Sequence, residues 1–108
     1  MTGVTDDGPA PARERLEAVV HGLVHGVGFR MFALREAMAL GVDGFVANEA
    51  NGTVRVVAEG RRAALDALLE RLEVGPAAGY VERVTTRWEP ARGMREGFRI
   101  ESGFHSGD

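Results

Sequence analysis

Glycine cuts this chain into short pieces, and that punctuation limits what it can become. Gly26 and Gly28, Gly41, the pair Asn51 and Gly52, Gly60, Gly75 with Pro76, and Gly79 separate runs that each suit one strand or one helix. Fifteen of the 108 residues are glycine, about twice ordinary usage. No internal repeat of solenoid length is visible. No apolar run approaches the ~18 residues of a membrane span either. What remains is one small domain of alternating short elements, with enough chain for a single core without a disulfide or metal staple.

The patterns inside the runs assign the elements. Residues 15–24 carry Leu16, Ala18 and Val20 in alternation, with Val19 and Leu23 on the other parity, which suits a strand buried on much of both faces. Residues 29–40 are nearly all good helix formers with a broad apolar face, and Gly41 stops them. Residues 44–49 form a short strand. Asn51 and Gly52 signal a tight turn. Residues 53–59 return from it, with Val54, Val56 and Ala58 on one face. Residues 61–73 give the clearest helix, because Leu65, Leu68, Leu69 and Leu72 recur at i, i+3, i+4 and i+7. Residues 80–88 are rich in β-branched and aromatic side chains, hence a strand. Residues 98–100 read as a short extra one. The order predicts an α+β, ferredoxin-like sandwich, a largely antiparallel sheet with two helices on one face. The domain is expected over 13–102, between a flexible tail at 1–12 and another at 103–108. The polar tails suggest a free-standing protein.

Absences narrow the chemistry. There is no Cys, which removes disulfides, thiolate nucleophiles and Cys-ligated metals. All 13 basic residues are Arg, so Schiff-base chemistry and the phosphate-loop Lys of nucleotide hydrolases are excluded. The only serines are Ser102 and Ser106, close to the C-terminus. The net charge is −3, the Arg residues are scattered, and the aromatics form no stacking stripe. Nucleic acid is therefore not an expected partner. With no secretory signal at the N-terminus, the expected location is cytoplasmic. The simplest assembly is a monomer.

Two segments carry chemistry. The first is His25, Gly26, Val27, Gly28, Phe29 and Arg30, between a strand and a helix start. Glycines let backbone N–H groups converge into an anion nest at the positive end of a helix, and Arg30 adds a fork that binds two phosphate oxygens at once. The dinucleotide fingerprint fails here, because position 31 is Met rather than the third Gly. A tight turn that simply needs glycine explains the same residues. The second segment ends in Asn48, an amide closing an otherwise apolar strand. It can hydrogen-bond both a water and a phosphate oxygen, or it can merely terminate the strand. His21 and His25 stand four apart, but on a strand end and a loop, with no third ligand in view; no metal site is expected.

The stretches VHGLVHGVGFR at 20–30 and GFVANEANGTVRVVAEG at 44–60 resemble the two signature motifs of the acylphosphatase family. The first matches at Gly22, Val24, Gly26, Val27, Phe29 and Arg30. The second matches at Gly44, Phe45, Val46, Asn48, Gly52, Val54 and Gly60. The likeness covers residues 15–100. It implies hydrolysis of a small-molecule acyl phosphate to a carboxylate and inorganic phosphate, with no metal, no cofactor and no phosphoenzyme. It implies that backbone N–H groups from His25 to Arg30 hold the phosphoryl group, that Arg30 binds it too, and that Asn48 positions the water. One departure is His25, where the family usually has Gln. It either adds a titratable charge beside the phosphate or packs as a neutral ring. The competing readings are a phosphate-binding or acyl-phosphate-binding module without catalysis, and a protein-interaction domain. Related domains also stand at the front of large carbamoyl-transferring enzymes of hydrogenase maturation; this chain is too short to be such an enzyme whole, which leaves a fragment of one as an alternative.

Overall fold

A computed structural model describes residues 12–102; the expected tails at 1–12 and 103–108 lie outside the described residues except for Ala12. The chain runs β1 (Glu14–Leu23), α1 (Phe29–Leu40), β2 (Asp43–Asn48), β3 (Val54–Gly60), α2 (Arg62–Val74), β4 (Tyr80–Pro90) and β5 (Phe98–Glu101). Each element falls within two residues of its expected bounds. The five strands make one sheet in the order β4-β1-β3-β2-β5. The pairs β4·β1, β1·β3 and β3·β2 are antiparallel. The short β5 is parallel to β2, so the sheet is largely antiparallel with one parallel edge, in a ferredoxin-like α+β sandwich.

The two-residue period of the strands decides which face is buried. Leu16, Ala18 and Val20 of β1 stand beside Ala58, Val56 and Val54 of β3, and all six are fully buried. Both helices close over this face. In α2 the buried stripe is Leu65, Leu68 and Leu72, each stabilising the fold by roughly 1.5–3 kcal/mol relative to exposure. In α1 it is Phe29, Ala33 and Ala37; the two alanines let that helix lie close to the sheet. The amphipathic stripe of α2 is narrower than its leucine count suggests, since Leu69 is only partly buried at the cluster's edge. Leu23 departs further from the expected two-sided burial. It is 61% exposed, because β1 passes a bulge at His21 and Gly22 and runs off the sheet end beside Tyr80.

Gly44 is required by the β2–β3 pairing. Its φ is +146°, and a Cβ there would lie 1.9 Å from the carbonyl oxygen of Val57. Only a residue without a side chain lets the two backbones approach this closely. That approach brings the end of β2, and with it Asn48, to the same end of the sheet as the loop that leaves β1.

Candidate functional site

The loop between β1 and α1 is anchored at both ends and open in the middle. Val24 and Phe29 are each 1% exposed, so the core holds the entrance and exit. Gly26 and Gly28 have φ of +73° and +78°, and no atom lies within 4 Å of where a Cβ would stand. Glycine is needed here for the left-handed backbone rather than for space. Gly28 is also the N-cap of α1, where no side chain caps the helix and no acidic residue occupies the first turn. The first intrahelical bond runs from the Phe32 N–H to the Gly28 oxygen at 3.0 Å. The N–H groups before it lack intrahelical acceptors, and the helix dipole gives that end a partial positive charge. An anion fits such a terminus.

Asn48 closes β2, opposite Val54, and is 6% exposed. It shares the helix-covered face with the buried Val46 two residues before it. Gly26, Gly28, Phe29, Arg30 and Asn48 all line one concavity of about 290 Å³. Val24, Met31 and Ile100 complete its wall. Arg30 is the one ionisable side chain among these lining residues. The arrangement is a small, positively biased cradle with apolar sides, suited to a compact anion attached to an uncharged group.

Two of the expected residues, His25 and Val27, are not among those lining the concavity. Val27 packs against the core cluster, with a methyl group close to Gly79. The His25 ring is engaged by the hairpin: Nε2 lies 2.8 Å from the carbonyl oxygen of Thr53. Met31 and Ile100 were not anticipated. The signal for Met31 was its place one residue after Arg30 in the first helical turn. Ile100 arrives through the parallel β2·β5 register, where it stands opposite Val46.

A wider groove of about 380 Å³ lies between the helices, lined by Phe32, Glu36, Glu70, Arg71, Val74 and Gly75. Its two carboxylates, Glu36 and Glu70, one of them paired with Arg71 at 2.8 Å, disfavour an anion. The larger hollow is therefore the poorer phosphate site. Among the described residues no group of three or more His, Asp or Glu side chains is placed to hold a metal. Among them, too, no helix is long and apolar enough to cross a membrane.

An antiparallel-rich sandwich with a glycine cradle at the start of its first helix and an amide facing it defines a class of small phosphate-handling domains. Residues 16–100 match the acylphosphatase family model. An acylphosphatase of Rhodococcus jostii is 46% identical over 85 residues, spanning 79% of this chain and 96% of that protein. The crystal structure of acylphosphatase from Bacillus subtilis superposes with a TM-score of 0.78 at 30% identity, covering 82% of this chain and 98% of that one. Full-length HypF, in a phosphate- and nucleotide-bound form, shares the fold with a TM-score of 0.80 at 22% identity, this chain matching 13% of its length. The chain belongs to the acylphosphatase family. Its activity is that of an acylphosphate phosphohydrolase.

Proposed function

We propose that the chain hydrolyses the carboxyl–phosphate bond of small-molecule acyl phosphates at the cradle, with Arg30 and Asn48 as catalytic residues and no metal or other cofactor. The observation that carries this is the meeting of Gly26, Gly28, Arg30 and Asn48, from two separate elements, on one concavity. The N–H groups from His25 to Arg30 take the phosphoryl oxygens, and the Arg30 fork binds the same group and stabilises its charge in the transition state. Asn48 holds a water in line with the bond to be broken. The water oxygen attacks phosphorus. The bond from phosphorus to the acyl oxygen breaks, and its electron pair stays on the carboxylate. The water's proton passes to a phosphoryl oxygen of the substrate. A carboxylate is a weakly basic leaving group, so no strong general acid is needed. We infer that the working form is a cytoplasmic monomer.

The test is turnover of benzoyl phosphate with EDTA present, comparing wild type with a folded Asn48→Ala variant. The wild type should turn over, and the variant should lose roughly 2.7–4 kcal/mol of barrier lowering, mainly in kcat. A folded wild type without turnover would leave a phosphate-binding module. Full activity in the variant would move the water-positioning role elsewhere.

A further inference from the structure

We propose that His25 is a positioning residue that ties the phosphate loop to the β2–β3 hairpin and so fixes Arg30 and Asn48 relative to one another. A carbonyl oxygen only accepts, so the Nε2 that lies 2.8 Å from the Thr53 oxygen carries a proton and donates it. The same Thr53 oxygen accepts the N–H of Glu49 at 2.9 Å. Glu49 directly follows Asn48. A single carbonyl therefore receives one bond from the loop that leads to Arg30 and one from the residue beside Asn48.

That carbonyl is itself held in place. Thr53 is 7% exposed. Its N–H and Oγ1 both bond to Oδ1 of Asn51, at 3.1 and 2.7 Å. The Gly52 N–H closes the turn onto the Glu49 oxygen at 3.1 Å. The loop has more freedom, because Gly26 and Gly28 contribute no side chain to pack. Within it, Val27 anchors one side to the core, and His25 anchors the other to the hairpin. The His25 ring is thus placed to set geometry rather than to touch substrate.

The inference rests on the proposed roles of the loop and Asn48, and its test separates the two. His25→Gln and His25→Met are close in shape, but only the glutamine amide can donate to the Thr53 oxygen. Each is made alone and with Asn48→Ala, with His25→Ala as a second variant lacking the donor. The readouts are KM and kcat for benzoyl phosphate, competitive inhibition by inorganic phosphate, and Tm. Variants without the donor should weaken phosphate inhibition and lower kcat/KM by about 10- to 100-fold, the scale of a misplacement approaching 1 Å. His25→Gln should recover most of that loss. In the Asn48→Ala background the effect on kcat should shrink while the effect on phosphate inhibition persists. Three results overturn the tie: wild-type kinetics in His25→Met and His25→Ala, a fall in Tm alone, or a glutamine variant as impaired as methionine. If instead Asn48→Ala keeps full turnover, the water-positioning reading fails, and phosphate inhibition across the His25 variants decides the tie by itself.

Discussion

Arg30 is the one ionisable side chain on the wall of the cradle, which fixes what a change there should do. A guanidinium offers two parallel N–H donors to one phosphoryl group; an ammonium offers a point charge without that geometry. Arg30→Lys should therefore keep the fold and the charge, yet lose on the order of 100-fold in kcat/KM for benzoyl phosphate. Near-wild-type kinetics in a folded Arg30→Lys variant would remove Arg30 from the reacting group. At this scale the sequence is legible wherever a residue's meaning is local. The spacing of Gly26, Gly28 and Arg30 suits an anion cradle and a tight turn alike, and Asn48 stands out as an amide at the end of an apolar run. The bond made by His25 is not legible. Its partner is a main-chain carbonyl 28 residues along the chain, and every residue has one.

At the scale of elements, both helices and the hairpin follow from patterns that one element contains: a leucine stripe, a run of helix formers stopped by glycine, and an Asn-Gly turn. The parallel seat of β5 does not, because Phe98 to Ile100 carry no mark of the strand they will join. Hence Ile100 reached the cradle unannounced. The hairpin makes its own prediction. Gly44 carries a φ of +146°, and its missing Cβ leaves space for the Val57 oxygen and the Ala58 Cα. Gly44→Ala adds roughly 1–3 kcal/mol of backbone strain and an overlap with the neighbouring strand. Its Tm should fall by about 12 °C or more, taking about 3 kcal/mol in total and 4–8 °C per kcal/mol for a domain this size. Thermal unfolding followed by circular dichroism checks this. An unchanged Tm would mean that β2 and β3 do not pair in this register.

Over the whole molecule, the helices cover one sheet face and charge organises the other. Glu59 is fully buried there. It accepts N–H bonds from Arg92, Gly93 and Met94 at 2.8–3.0 Å and a 3.0 Å bond from the Arg15 guanidinium, folding the loop after β4 back onto the sheet. Burial pushes its carboxyl up, but the N–H groups of Arg92 and Met94, Arg15 and the N–H of Gly93 outweigh it, and the result lies below the ordinary 4.5. Glu17 is displaced the same way, burial being outweighed by Arg15, Arg55 and Arg87. A carboxyl held lower in the folded state binds fewer protons there than in the unfolded chain. Its stabilisation is complete above the ordinary value and disappears as pH falls through the folded one. Wild-type Tm should thus hold steady from neutrality to about pH 5 and then drop with acid. Glu59→Gln should melt lower than wild type at neutral pH, since an amide cannot match the charged acceptor. Its acid slope should be shallower, with the Glu17 part remaining, and Glu17→Gln in addition should flatten it further. Parallel Tm-versus-pH curves for wild type and Glu59→Gln would show that Glu59 does not carry the acid sensitivity. The loop over the sheet would then owe its place to Arg13, which reaches both Asp43 and the Met94 oxygen at 2.9 Å.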